Sequence, residues 1–412
     1  MTPPLYVHIP YCLKKCGYCD FFSRPASRVP AEYVKAAARQ IEFLAREFCV
    51  EGWKSVYIGG GTPSLLDADG LRFLCSSIKA AAPLAPGCEW TIEMNPGTMS
   101  RELLEAARAC GINRLSVGIQ CKNDKVLRAI GRGATAAQIE EAAALAKNFW
   151  GGSWSADLIA GLPFQTKEDL ARDIDFIERN GAKHISLYSL TLEEGTPLEK
   201  QISRGELSYD EEGAEGLWLY GRDLLEERGF LQYEVSNFAV PGFESRHNAA
   251  YWAQESYLGA GAGATGTIYA NPSGIRYTNV LDAAAYADYW NAERSQAKDA
   301  GGQNCPQAKD AAGEPKGLAD QNAAAPRFPC QTESLDMATQ EFEYLMLALR
   351  TRRGASADEY KARYGGNLLA RLGANKEAPA ARWLQKIERD GKTYCAMTRQ
   401  GLLFLNKFLE EL

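Results

Sequence analysis

Three cysteines stand close together near the start of the chain, in the run Cys12-Leu13-Lys14-Lys15-Cys16-Gly17-Tyr18-Cys19. The spacing Cys-x3-Cys-x2-Cys crowds three soft thiolates into one loop, which suits a metal centre better than it suits packing. The ligand count divides the readings. A structural zinc ion takes four protein ligands, so a Cys3His site would have to recruit His8. A standard iron–sulfur cluster takes four cysteines. Three cysteines leave one iron of a [4Fe–4S] cluster open, and an open iron binds a substrate. Spacing alone leaves zinc, cluster and chance clustering all standing.

Further residues able to do chemistry recur at the ends of β-like runs. Ser55–Ile58 runs into Gly59-Gly60-Gly61-Thr62. That turn lacks a P-loop lysine and does not fit the dinucleotide fingerprint. Alone it reads as a plain turn; beside a metal centre its glycines let the backbone approach a ligand. Glu93 falls at the end of Trp90–Met94, Gln120 follows Arg114–Ile119, and Asp157 lies in Ala156–Ile159. One polar strand end is ordinary solvated surface. Several in successive units line a cavity.

The elements that must position these residues alternate. Leu5–Ile9, Ser55–Ile58, Trp90–Met94, Arg114–Ile119, Ala156–Ile159 and His184–Ser189 read as strands. Helical patterns near 31–48, 65–81, 100–109, 124–148, 167–179 and 210–228 separate them. This alternation predicts an α/β fold with a parallel sheet and crossover helices. Six units instead of eight predict an open, partial (β/α)6 barrel over residues 1–235.

Beyond residue 235 the pattern changes. A connecting region, 236–294, carries His247-Asn248-Ala249-Ala250-Tyr251-Trp252 and a Gly/Ala-rich stretch at 259–264. Residues 295–331 are low in complexity and poor in large aliphatics. They cannot bury enough surface to offset their ordering entropy, which predicts a disordered insertion with no chemistry in Cys305 or Cys330. Order resumes over 332–412 as helices, a strand at Thr393–Met397 and a last helix, the order of a small winged-helix-like module. From Arg350 to Leu412 thirteen Lys/Arg stand against seven Asp/Glu, which reads as a solvated basic face or a site for anions.

Composition limits the function. A net charge of −6 over 412 residues argues against wholesale nucleic-acid binding, and 46% apolar residues describe a globular chain. No apolar run reaches the length of about 18 residues that a transmembrane helix needs, and no basic-then-apolar leader opens the chain. The odd total of eleven cysteines fits a reducing compartment. The expectation is a cytoplasmic protein without a membrane span.

Cys-x3-Cys-x2-Cys-x-Phe after Tyr6-Val7-His8-Ile9-Pro10 resembles the radical SAM superfamily, in its HemN/HemW-like branch. So do Thr91–Gly97, Ser116–Gln120, Asp157–Pro163 and Tyr233–Ala239, in that order. The resemblance runs from Tyr6 to the C-terminal helix, the insertion excepted. It implies a [4Fe–4S] cluster on Cys12, Cys16 and Cys19 with S-adenosyl-L-methionine (SAM) on the fourth iron. It also implies that Tyr6, Gly60, Gly61, Thr62, Glu93, Gln120, Arg132 and Asp157 contact SAM, and that an electron donor serves the cluster. Two departures bear on this set: Cys121 stands where the branch often has Ser, and Ala134 where it often has His, which weakens Arg132. The oxidases of the branch carry a further motif cysteine where this chain has Phe21, and a long segment before the first cysteine. Both differences favour a haem chaperone over an oxygen-independent coproporphyrinogen III oxidase. The His-Asn-x-x-Tyr-Trp run matches a motif tied to haem in the chaperones, which implies haem contact by His247, Tyr251 and Trp252, with Arg246 near a propionate. A haem-acceptor protein follows as partner.

Overall fold

The computed structural model describes residues 1–150, 153–292, 327–373 and 382–412. The six expected strands form in the expected order: β1 (Pro4–Ile9), β2 (Trp53–Gly60), β3 (Leu84–Met94), β4 (Arg114–Gln120), β5 (Ser153–Ala160) and β6 (His184–Ser189). Each lies parallel to the next. The crossover helices are α1 (Ala31–Glu47), α2 (Ala68–Ala81), α3 (Arg101–Ala109), α4 (Ala136–Leu145), α5 (Lys167–Arg179) and α6 (Glu211–Glu227). Their starts are written locally. Asp67 and Ser100 cap α2 and α3, and Thr135 with Gln138 and Thr166 with Asp169 form capping boxes on α4 and α5.

Parallel strands usually read as unbroken apolar runs, because both faces are covered. Here they alternate. Val56, Ile58, Ile92, Leu115, Val117, Leu158, Ile185 and Leu187 are buried in the main apolar core. The alternate positions, such as Tyr57, Glu93, Ser116, Asp157 and Ser186, line a cavity on the other side of the sheet.

Three short strands extend the sheet. β8 (Asn237–Ala239) adds antiparallel beside β6, β7 (Leu231–Gln232) adds antiparallel beside β8, and β9 (Leu258–Ala260) pairs in parallel with β1. The strand order is therefore β9-β1-β2-β3-β4-β5-β6-β8-β7. Residues 237–239 and 258–260 are thus part of the main sheet. A second sheet, β10 (Thr265–Ile268), β11 (Gly274–Asn279) and β12 (Cys330–Leu335), is antiparallel. Gln40 of α1 ties these parts together: its amide accepts from the Gly261 N–H at 2.8 Å and donates to Asn279 Oδ1 at 2.6 Å.

The low-complexity stretch up to residue 326 lies outside the described residues. Its expected end at 331 is corrected. Phe328 is buried, edge-on to Tyr277 with centroids 5.5 Å apart, and Cys330 opens β12.

The C-terminal unit has its own core of Tyr344, Leu345, Leu349, Trp383, Met397 and Phe408. Helices Met337–Ala348 and Ala357–Tyr364 pack with a three-stranded antiparallel sheet, Ala355–Ser356, Leu384–Arg389 and Lys392–Met397, of which only the last was expected. It meets the barrel where the Arg352 N–H donates to Tyr233 O at 2.9 Å and Arg399 pairs with Glu226 at 2.9 Å.

The Gly/Ala stretch is dictated by close approach. A Cβ on Gly259 would lie 2.1 Å from Thr265 O, and Gly261, at φ +104°, would place one 2.4 Å from His8 O. Gly259→Ala is expected to cost about 1–3 kcal/mol by overpacking. Gly216→Ala, within α6 and with nothing within 4 Å, should gain roughly 0.5–1 kcal/mol. Urea unfolding of the two variants checks the opposite signs.

Candidate functional site

The cysteine loop is pinned by backbone bonds within itself and to the segments that follow β4 and β6. The Arg24 N–H donates to Pro10 O at 2.9 Å, and the Ala26 N–H to Cys12 O at 2.8 Å. Midway, the Gly17 N–H donates to Ile130 O, and Gly17 O accepts from Leu198, both at 2.8 Å. The thiols inherit this placement. Thr62 Oγ1 donates to Cys12 Sγ at 3.4 Å, and Arg132 Nη1 approaches Cys16 Sγ at 3.5 Å. Burial pushes the Cys19 thiol up from its ordinary value, and Cys19 lines the cavity.

His8 does not complete a zinc site. Its Nε2 faces Phe22 O at 2.9 Å and its Nδ1 faces the Tyr6 hydroxyl at 2.8 Å. The carbonyl can only accept, so Nε2 carries the proton and Tyr6 donates to Nδ1. Among the described residues no three His, Cys, Asp or Glu side chains converge for a single metal ion. Thiolates of a [4Fe–4S] cluster each take a different iron, and three thiols spaced along one pinned loop fit that demand.

The loop stands over a cavity of about 490 Å³ enclosed by the sheet. Its wall includes Gly60, Gly61, Thr62, Glu93, Gln120, Arg132 and Asp157, seven of the eight residues expected around SAM. Tyr6 is the exception. It does not line the cavity; its hydroxyl orients His8, whose ring packs so tightly under Gly60 that a Cβ there would lie 2.5 Å from it. The Gly61 N–H donates to Ile9 O at 2.9 Å, which closes the glycine turn on β1. This cradle is open because it has no side chains.

Two carboxylates line the cavity. Glu93 accepts from the Tyr57 hydroxyl at 2.7 Å and from the Gly60 N–H at 3.1 Å. Burial, with Asp157 adding to it, still pushes Glu93 up to about 7. Asp157 accepts from Ser116 Oγ at 3.1 Å and is also raised by burial. Both gain from a cationic or hydroxyl-bearing ligand. Arg132 donates to Gly118 O at 2.6 Å, and its Nε is buried with no protein partner. The departures at Cys121 and Ala134 do not displace it. Cys121 packs with Val126, Ile130 and Leu198, away from the cavity.

The His247 segment is packed into the fold. Helix α7 (Arg246–Trp252) closes the barrel at the N-terminal end of β2, and His247 is 1% exposed. Its Nδ1 meets Ser55 Oγ at 2.8 Å and its Nε2 meets the Tyr251 hydroxyl at 2.9 Å. Burial drives its pKa down to about 3. Glu89 accepts its backbone N–H at 2.8 Å. With both ring nitrogens engaged, His247 is not presented as an axial ligand in this conformation. Tyr251 packs edge-on against Tyr257, and Trp252 keeps a buried indole N–H without a partner.

Sequence reasoning missed Tyr57, Thr91, Arg114, Ser116 and His184 in the cavity wall. The signal was present in Arg114-x-Ser116-x-Gly118-x-Gln120, a polar residue or glycine at every second place of a strand expected to be apolar on both faces.

The profile of the radical SAM superfamily matches residues 6–177. The heme chaperone HemW of Lactococcus lactis is 37% identical over 277 residues, 67% of this chain and 71% of that protein. The chain belongs to the radical SAM superfamily, in its HemN/HemW-like branch. HemW of Escherichia coli is 35% identical over 270 residues, 65% of this chain and 71% of that one. The bovine radical S-adenosyl methionine domain-containing protein 1, mitochondrial, is 39% identical over 276 residues, 66% of this radical SAM chain and 62% of its own. Among solved structures, coproporphyrinogen III oxidase (HemN) from Escherichia coli superposes with a TM-score of 0.74 at 19% identity, over 99% of this chain and 90% of that one. That likeness carries the fold.

The raised pKa of Glu93 makes a stability prediction. Below about 4.5, its ordinary value, Glu93 is protonated in both folded and unfolded chains. As pH rises through about 7 the folded chain must hold a buried charge that the unfolded chain holds in water. Glu93→Gln should therefore leave stability unchanged near pH 4 and raise it by about 2–3 kcal/mol at pH 8. Urea titrations at the two pH values check the sign.

Proposed function

We propose that this chain binds a [4Fe–4S] cluster, SAM and haem, and serves as a haem chaperone of the HemW type that passes haem to an acceptor protein. The observation that carries the reading is the one cavity under the cysteine loop, where Cys19 and seven of the expected SAM contacts share a wall. Cys12, Cys16 and Cys19 would hold the cluster. When bound, the cluster and SAM supply one-electron chemistry, fed by an electron donor. The chain's part is to bind, orient and shield. The glycine cradle admits SAM, Glu93 and Asp157 suit its ammonium and hydroxyls, and Arg132 suits its carboxylate. Relatives named heme chaperones at 35–37% identity support the haem half. Among the described residues no helix is long and apolar enough to cross a membrane, and we place the work in the cytoplasm.

The alternative is an oxygen-independent coproporphyrinogen III oxidase. The shared fold at 19% identity does not favour it, and Phe21 at the place of a further motif cysteine speaks against it. Tyr251 and Trp252 are kept as candidate haem contacts. His247 would join them only if α7 opened and released Ser55 and Tyr251.

Two measurements on anaerobically reconstituted protein test this. Haem titrated by its Soret band should bind stoichiometrically, and coproporphyrinogen III should not be decarboxylated with SAM and reductant present. Turnover of coproporphyrinogen would overturn the chaperone reading. In the same titration His247→Gln should leave haem affinity within about threefold while destabilising the fold by roughly 1–3 kcal/mol, the cost of a broken buried hydrogen bond. A tenfold loss of affinity with the fold intact would instead make His247 a ligand.

A further inference from the structure

The cavity holds a charge that the proposed SAM site does not use. Arg114 opens β4, lines the cavity and is 5% exposed. The hydrogen bond found for its guanidinium runs from Nη1 to Phe243 O at 3.0 Å. No carboxylate of the described residues forms an ion pair with it, although Asp157 feels its charge at longer range. Arg222, similarly buried, pairs with Asp223 at 3.0 Å. A buried guanidinium without a counter-ion is costly, and structures normally supply one.

Two of its neighbours in the sheet register are also unfilled. Thr91 faces Arg114 across β3 and β4, and Glu93, Ser116, Ser155 and His184 form the next rung. Thr91 Oγ1 and His184 Nδ1 are both buried without a protein partner, and both residues line the cavity. The tautomer of His184 follows from its other nitrogen. The Tyr233 hydroxyl accepts from the Ser245 N–H at 3.2 Å and meets His184 Nε2 at 2.8 Å. Its own proton needs an acceptor, so Nε2 takes it and Nδ1 carries N–H. A guanidinium, an imidazole N–H and a threonine hydroxyl together form a donor set.

This set is separate from the end that holds the cysteine loop. Arg132 is fixed to Gly118 O, four residues along β4 from Arg114, or about 13 Å at strand rise. We propose that Arg114, His184 and Thr91 form a second subsite on the cavity floor, which binds the carboxylate of a ligand held alongside SAM. Only the word alongside rests on the SAM reading; the floor stands on its own geometry.

Three histidines in the chain make the test direct. Full-length protein labelled with ¹⁵N-histidine, with and without reconstituted cluster, is titrated with sodium propionate at constant ionic strength, and with propionamide as the uncharged control. His184→Gln assigns the His184 signals. Propionate is expected to shift the His184 nitrogens saturably, with His8 and His247 unmoved and propionamide without effect. Arg114→Gln should weaken propionate by roughly tenfold or more, the weight of a charge-assisted hydrogen bond. Thr91→Val, which keeps the packing, should weaken it by a smaller factor even if Arg114→Gln fails to fold. Saturating SAM should leave the propionate shift in place. No His184 shift, an equal response to propionamide, or displacement of propionate by SAM would overturn the proposal. A chain that binds no SAM but still shows the shift would sink the SAM reading and keep the floor.

Discussion

The polar concave face of a parallel sheet is the constraint on which the rest of this structure depends. A sheet covered by helices on its outer face would normally hide apolar side chains on its inner face as well. Here Tyr57, Glu93, Arg114, Ser116, Asp157 and His184 line that face. Polar and charged groups out of water must find partners or pay a large desolvation cost. The partners found are internal: Tyr57 and Gly60 for Glu93, Ser116 for Asp157, Gly118 for Arg132. What stays unmet, notably Arg132 Nε, Thr91 Oγ1 and His184 Nδ1, marks where a ligand is called for. Stability is given up at this site so that binding can recover it.

The same constraint explains how the barrel is closed. An open six-stranded sheet would expose these groups at both edges and at its floor. β9 covers the edge beside β1, β8 covers the edge beside β6, and α7 plugs the floor through Glu89, Ser55 and His247. The segment that carries the His-Asn-x-x-Tyr-Trp run is thus a structural plug in this conformation. A buried neutral imidazole with two partners stabilises the plug, and haem would have to compete with both.

The sheet was legible in the sequence because its outer-face residues keep the apolar signal of strands such as Val56–Ile58 and Leu115–Ile119. Crossover helices carried explicit caps, as at Thr135 and Thr166. The loop of Cys12, Cys16 and Cys19 and the wall positions Gly60, Glu93, Gln120 and Asp157 could be found, since each stands at a strand end or in a turn. Three things were not legible. β9 is only three residues long, and its Gly-Ala content suppresses any strand signal; the contacts with Thr265 and His8 that make Gly259 and Gly261 necessary come from elsewhere in the chain. The burial of His247 depends on Ser55 and Glu89, far away in sequence. Arg114 read only as the first residue of an apolar strand, because the polar alternation Arg114-x-Ser116-x-Gly118-x-Gln120 shows a polar face without showing that this face lines a cavity.

The cavity beneath the cysteine loop is proposed as a cluster site open to SAM, and electron paramagnetic resonance of the reduced, reconstituted protein tests this. A [4Fe–4S] signal from about four irons per chain is expected, altered when SAM is added, and unaltered by SAM in Glu93→Ala with the cluster retained. A protein that takes up zinc in place of iron, or a cluster whose signal is indifferent to SAM in the unmodified chain, would contradict it.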